Sequence, residues 1–132
     1  MKNVPILSSR RLGLACVMAT LAAVLPLQAL SQVYPAKPVK VLVGFTAGGA
    51  VDLIARSVGQ VMQASLGQPI VVENKPGAGT NIAMKALIDA PPDGYTLMLT
   101  ANSIAANPAL YKPAPFDPEK DVAPVALVGR VP

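Results

Sequence analysis

The chain has 132 residues, of which 52% are hydrophobic and 14% charged, with one Cys and no His. That length accommodates at most one domain, and the composition excludes an internal disulfide, a His-based catalytic triad and a His-ligated metal. From Gln32 onward eight basic residues are balanced by seven acidic ones, so the chain lacks the basic field that nucleic-acid binding requires.

The N-terminus has the layout of an export signal. The first eleven residues are polar and positively charged, residues 12–27 form an apolar run, and small residues occupy positions 29 and 31 ahead of Gln32. This pattern predicts a secretory signal peptide over residues 1–31, cleaved near Ser31/Gln32, because the apolar run is short for a membrane span of about 20 residues. The Arg10-Arg11 pair fits a twin-arginine signal or a Sec signal equally well. We therefore expect no membrane span after cleavage.

Residues 32–132 alternate short β-branched runs with helical patterns. Strands are predicted at 38–45, 70–73, 95–100 and 125–131, and helices at 50–66, 81–90 and 102–110, with a further helical turn at 119–121. Strands that alternate with helices across short loops predict an α/β fold, a parallel sheet with flanking helices and right-handed connections.

The first helix, at 50–66, carries apolar residues at helical spacing. We expect one side of it to be buried, formed by Val51, Ile54, Val58, Val61, Met62 and Leu66. Asp52 and Arg56 fall on the other side, four residues apart, and this spacing predicts a surface ion pair. Gly67 is a natural residue to end this helix.

Loops rich in Gly, Ala, Thr, Asn and Ser follow the first three predicted strands. In a parallel sheet these loops meet at the carboxyl edge, where ligands bind. The unpaired N–H groups and the positive dipole end of the following helices can hold an anion without Lys or Arg. The candidate ligand-binding residues are Thr46, Ala47, Gly48, Gly49, Gly77, Ala78, Gly79, Thr80, Asn102 and Ser103.

Nucleotide and enzyme interpretations find little support in these loops. The first loop has Ala50-Val51 where a phosphate-binding loop needs Lys and Ser/Thr, and the second has Ile82 where a dinucleotide fingerprint needs Gly. We expect no metal, no cofactor and no enzymatic activity, because no nucleophile with a base is evident. Two alternatives stay open: a fragment of a secreted α/β hydrolase or transferase, in which Ser103 would matter, and a periplasmic sensing or interaction module.

Three stretches resemble the signatures of a known family. Residues 41–56 (VLVGFTAGGAVDLIAR), 72–79 (VENKPGAG) and 92–97 (PDGYTL) look like those of the Bug-type (TctC-like) solute-binding proteins of tripartite tricarboxylate transporters. The resemblance runs from about Tyr34 to the end of the chain, with the motifs in the family's order. It departs at Thr80, where the family commonly has Gly; Thr is restricted at positive φ but adds a hydroxyl.

The resemblance implies a periplasmic protein with a two-lobed, type II periplasmic-binding-protein fold, which captures a small organic acid and delivers it to membrane permease subunits. By the same resemblance, loops 46–49 and 77–80 hold one carboxylate through backbone amides and bridging water, helped by residues 100–103. Two lobes need roughly 250–300 residues. Residues 32–132 would then be the N-terminal portion of the first lobe, with the second lobe absent. Which carboxylate is bound stays open.

Overall fold

A computed structural model describes residues 33–130, so the predicted signal peptide lies outside the described residues. The elements are β1 (Val39–Val43), α1 (Ala50–Leu66), β2 (Ile70–Asn74), α2 (Asn81–Ile88), β3 (Thr96–Leu99) and α3 (Ser103–Leu110), with a short helical turn at Ala78–Thr80 ahead of α2. Both β2 and β3 pair with β1 in parallel, and a helix follows each strand. The predicted α/β class is therefore confirmed.

The sheet has the order β2-β1-β3, with β1 in the centre. Val43 at the end of β1 lies opposite Asn74 of β2 and Leu99 of β3, so the three strands end together. The chain moves outward from β1 to β2 and then crosses back past β1 to reach β3. The loops after β1 and β3 therefore leave the sheet where the strand order reverses, the usual place for a ligand in such folds.

The core forms on both faces of β1. Val41 and Val43 are buried with Ala55 of α1 on one face. Leu42 points to the opposite face, as strand alternation requires, and is also buried. Helix α2, which buries Met84, contacts β1 and β3. Burial on both faces explains why the sequence of β1 is an almost continuous apolar run.

Helix α1 is rotated relative to the prediction. Its buried residues are Asp52, Ala55 and Gly59, whereas Ile54 and Val61 are 44% and 68% exposed. The predicted buried side is therefore only partly right: Val51 packs against the core and Val58, Met62 and Leu66 are partly buried, but small residues form the most buried line of the helix. A Cβ added at Gly59 would lie 3.2 Å from Cγ2 of Ile70, so the small residues bring α1 close to the sheet. The predicted end is confirmed, since Gly67 adopts a left-handed conformation and its N–H bonds the carbonyl of Gln63.

The predicted fourth strand is a second correction. Residues 125–130 form no strand, and Val125 and Leu127 are 81% and 70% exposed. A β-branched run forms a strand only where a neighbouring strand pairs with it, and none of the described strands does so. The predicted helical turn at 119–121 is a single turn, in which the N–H groups of Lys120 and Asp121 bond the carbonyl of Asp117. No helix within residues 33–130 is both long and apolar enough to cross a membrane.

Candidate functional site

The three predicted loops lie at the same edge of the sheet. Two of them are in direct contact, because Oγ1 of Thr80 donates a hydrogen bond of 3.0 Å to Oγ of Ser103. The chain leaving β1 also packs there: a Cβ added at Gly44 would lie only 2.5 Å from Cβ of Thr80. The structure thus brings the second and third loops together beside the end of β1.

The β1–α1 loop is held by a buried carboxylate. Asp52 is only 1% exposed. Its Oδ2 accepts hydrogen bonds from the backbone N–H of Gly48 (2.8 Å) and from Nε of Arg56 (3.0 Å), and its Oδ1 accepts one from Nδ2 of Asn74 (2.9 Å). The predicted pair with Arg56 is present, but its placement on the surface was wrong. Asp52 turns inward because three donors on three segments replace the water that its carboxylate loses.

Asn74, at the end of β2, completes this network. Its Nδ2 also donates to the carbonyl of Phe45 (3.1 Å), and its Oδ1 accepts from Nη2 of Arg56 (3.1 Å). Sequence reasoning missed both Asn74 and the burial of Asp52. A signal was present in the spacing of Asp52, Ala55 and Gly59, which places the carboxylate on the small-residue face of α1.

The hydrogen bonds around Asp52 lower its pKa from an ordinary 3.8 to about 2, with Arg56 contributing most, then the N–H of Gly48, then Asn74. The same ion pair raises the pKa of the Arg56 guanidinium. Asp52 is therefore charged at every physiological pH. Its charge is offset by Arg56, so this buried group adds little net repulsion toward an anion nearby.

The loop after β2 has an unusual backbone. Four consecutive residues have positive φ: Gly77 (126°), Ala78 (45°), Gly79 (60°) and Thr80 (79°). The turn is closed by a hydrogen bond of 3.0 Å from the N–H of Thr80 to the carbonyl of Gly77. Left-handed backbone costs roughly 1–2 kcal/mol for each residue with a Cβ. Ala78 and the β-branched Thr80 are therefore held there by their surroundings.

Two neighbours supply that support. The buried Asn107 of α3 donates through Nδ2 to the carbonyl of Gly79 (2.6 Å) and to Oδ1 of Asn81 (2.7 Å). The missing side chain at Gly44 leaves the space that Thr80 fills. The left-handed Thr80 is thus accommodated by Gly44, and the Thr80 hydroxyl joins a chain through Ser103 to Oγ1 of Thr100 (3.1 Å).

The ten predicted site residues fall into two groups: those whose polar groups already form hydrogen bonds within the protein, and those whose backbone N–H groups do not. The N–H groups of Gly48, Gly49 and Thr80 bond Asp52, the carbonyl of Thr46 and the carbonyl of Gly77, respectively. The hydroxyls of Thr80 and Ser103 bond each other. Among the ten, the exposed residues whose backbone N–H groups have no hydrogen-bond partner within residues 33–130 are Thr46, Ala47, Gly77, Ala78, Gly79 and Asn102.

The exposed Asn102 directly precedes Ser103 at the N-terminus of α3. It lines a cavity of about 510 Å³ together with Thr100, Ala101, Leu127 and Gly129. Asn102 is the only one of the ten predicted site residues in this lining. Lys75, two residues before Gly77, is engaged elsewhere, because its Nζ forms an ion pair of 2.6 Å with Glu73.

Comparison with known sequences identifies close relatives. Residues 54–132 match the sequence model of the tripartite tricarboxylate transporter family receptor, TctC. A UPF0065 protein of Bordetella bronchiseptica is 40% identical over an alignment that covers 99% of this chain and 42% of that protein. The protein BugT of Bordetella pertussis is 42% identical over 75% of this chain and 31% of that protein. The chain thus spans less than half the length of these relatives.

Solved structures are similar as well. The periplasmic binding protein BugD superposes with a TM-score of 0.62 at 42% identity, over 64% of this chain and 28% of that one. MatC of Rhodopseudomonas palustris, solved with malate, superposes with a TM-score of 0.63 at 37% identity, over 72% of this chain and 33% of that one. Rpa4515 of R. palustris, solved with adipate, superposes with a TM-score of 0.61 at 33% identity, over 65% of this chain and 29% of that one. The likeness to the family seen in the motifs is confirmed, and the chain belongs to the TctC family of periplasmic solute-binding proteins.

Proposed function

We propose that this chain forms part of a receptor that captures a small organic carboxylate in the periplasm and passes it, chemically unchanged, to the permease subunits of a tripartite transporter. The observation that carries the proposal is the pair of neighbouring loops with exposed, unpartnered N–H groups, at Thr46 and Ala47 and at residues 77–79. Two relatives were solved with dicarboxylates, malate and adipate. A dicarboxylate is accordingly the first class of solute that we expect.

The physical basis is anion binding by peptide dipoles. The 46–49 loop leads into the N-terminus of α1 and the 77–80 loop into that of α2, so both add the positive end of a helix dipole. A carboxylate has two oxygens and about four acceptor sites, which suits one or two N–H donors from each loop. Because both loops are held by internal hydrogen bonds, little conformational entropy is lost when the solute binds.

Charged side chains are not required for this binding. Arg56 and Lys75 lie near the loops but pair with Asp52 and Glu73. In this proposal Thr80 and Ser103 shape the site through their shared hydrogen bond, and the exposed side chain of Asn102 is available to the distal part of the solute. Ser103 bonds two hydroxyls rather than a base, which favours a binding role over the nucleophile of the hydrolase alternative.

Export is the remaining part of the proposal. The signal peptide proposed for residues 1–31, cleaved near Ser31/Gln32, would deliver the chain to the periplasm. Mass spectrometry of the protein recovered from a periplasmic extract tests this, with Gln32 as the expected first residue.

The solute is tested by calorimetry of the intact protein with malate, adipate, citrate and benzoate, each compared with its uncharged amide. We expect at least one acid to bind and its amide to bind at least about a hundredfold more weakly, since the amide loses the charge that the N–H groups stabilise. No binding of any acid, or equal binding of acid and amide, would contradict the proposed function.

A further inference from the structure

The buried carboxylate of Asp52 has no direct part in the binding just proposed, yet it lies directly behind the first loop. It is 1% exposed and meets three donors, one from the loop itself, one from α1 and one from the end of β2. Asn74 extends the same network to the carbonyl of Phe45, the last residue before the loop. Both ends of the loop are thus tied to one carboxylate.

Packing does not fix the shape of this loop. A Cβ added at Gly48 would meet no atom within 4 Å, and Gly48 has a φ of 83° that few other residues adopt. Within residues 33–130, three bonds hold the backbone of the loop: from the N–H of Gly48 to Asp52 (2.8 Å), from the N–H of Gly49 to the carbonyl of Thr46 (3.3 Å) and from the N–H of Leu53 to the carbonyl of Gly49 (3.0 Å). The Asp52 bond is the shortest of the three and involves a charge, so it dominates.

We propose that Asp52 is a positioning residue of the carboxylate site: by drawing the N–H of Gly48 inward, it orients the loop so that the N–H groups of Thr46 and Ala47 face outward. This inference rests on the proposed function. It assigns a role to a negatively charged side chain beside an anion site, where a direct contact with the solute would be repulsive. Arg56 makes that role possible because it offsets the charge at 3.0 Å.

The nearly isosteric amide cannot replace this carboxylate. Asp52 accepts three hydrogen bonds, whereas Asn would offer one acceptor oxygen and one donor nitrogen to the same three donors. Rotating the amide of Asn74 does not help, because its nitrogen would then face Nη2 of Arg56 and its oxygen the carbonyl of Phe45. Whichever way the Asn amide is turned, its nitrogen faces at least one of these donors, and loss of the charge weakens the bond to the N–H of Gly48, while the size of the side chain changes very little.

The test compares Asp52→Asn with Asp89→Asn in the intact protein. Asp89 is the matched control, because it also pairs with a basic residue at a spacing of four, Lys85, away from the loops. Exchange of the Gly48 amide is measured by NMR without solute, and affinity is measured with malate and adipate. For Asp52→Asn we expect Gly48 to exchange at least about tenfold faster, with β1 amides unchanged, and affinity to fall at least about tenfold. Asp89→Asn should change neither quantity.

Asp52→Glu keeps the experiment decisive if the Asn variant does not fold. Glu retains the charge and the pairing with Arg56 but moves the carboxylate one methylene away from Gly48, so faster Gly48 exchange and weaker binding are expected here too. Wild-type exchange at Gly48 in the variants, or faster exchange with unchanged affinity, would overturn the inference. Failure of the unmodified protein to bind any acid would instead contradict the proposed function, since the Gly48 measurement needs no solute.

Discussion

The two glycine loops of this protein present the same chemical groups but are held by different forces. The 46–49 loop is fixed by a buried charge, Asp52, in a region with open space around Gly48. The 77–80 loop is fixed by neutral hydrogen bonds and close packing, with Gly44 and Asn107 around it. Peptide N–H groups can thus be held in place either electrostatically or sterically, and a different kind of substitution should disturb each loop.

The crowding around the second loop is visible at its glycines. A Cβ at Gly77 would lie 2.6 Å from Cδ1 of Ile82, and one at Gly79 would lie 3.0 Å from the hydroxyl of Tyr111. The first loop has no comparable contact at Gly48. Changes of volume should therefore damage the second loop, and changes of charge the first.

The largest effect is expected from Gly44→Ala. The new methyl group would overlap Cβ of Thr80 at 2.5 Å, and we expect a loss of about 3 kcal/mol in the free energy of unfolding, measured with urea. Adding Thr80→Gly should recover most of that loss, because it removes the overlapping atoms and the strained φ. Gly48→Ala is the control; it should lose only about 1 kcal/mol, from its positive φ. Equal losses for the two alanine variants would contradict the steric account of the second loop.

A smaller effect is expected from Asn107→Leu. The substitution leaves the carbonyl of Gly79 and Oδ1 of Asn81 without their donor, and we expect a loss of about 2 kcal/mol. Amide exchange should accelerate at 77–80 and stay unchanged at Gly48. Asn102→Leu is the control, because Asn102 is exposed at the N-terminus of the same helix, α3. It should have little effect on the free energy of unfolding or on amide exchange at 77–80. Faster exchange in both loops would show that they are not independently held.

Ser103→Ala should have a smaller effect again. It removes the link between the hydroxyls of Thr80 and Thr100 but leaves the packing of Thr80 against Gly44 intact. We expect a loss of about 1 kcal/mol in the free energy of unfolding. Solute affinity should fall only slightly, whereas loss of all binding would give Ser103 a direct role.

The smallest expected effect is the change in folding stability that acid causes by protonating Asp52. Because the folded pKa of Asp52 is about 2 and its ordinary value 3.8, its carboxylate stabilises the fold fully above about pH 4, and this is lost as the pH falls through 2. Glu73, Asp93 and Asp117 also have lowered pKa values, so the quantity to measure is the stability difference between wild type and Asp52→Asn. That difference should narrow between about pH 4.5 and 2. A constant difference would show that the charge of Asp52 contributes nothing.

Much of this architecture follows from local sequence. The apolar run at 38–45 and the Gly residues after it determine β1 and its loop, and parallel strands that end together bring three loops to one edge. The features that sequence reasoning missed depend on distant partners. Asp52 is buried because Asn74, 22 residues away, completes its hydrogen bonds. Thr80 adopts a left-handed backbone because Gly44 makes room.

The predicted strand at 125–130 does not form because it, too, depends on distant partners. Its β-branched residues suit a strand, but a strand is stabilised by the neighbour with which it pairs, and neither edge strand of the described sheet, β2 or β3, pairs with it. For helix α1, the sequence pattern predicts the position of the helix better than the side that packs against the sheet. Hydrophobic spacing located it correctly, while small residues decided which side faces the sheet.

We propose that peptide N–H groups on two differently held loops bind one carboxylate. The most direct test is a crystal structure of the intact protein with the acid that binds best in calorimetry. We expect one carboxylate within hydrogen-bonding reach, directly or through one water, of the N–H groups at 46–47 and at 77–79. A carboxylate held instead by basic side chains, or lodged away from both loops, would contradict it.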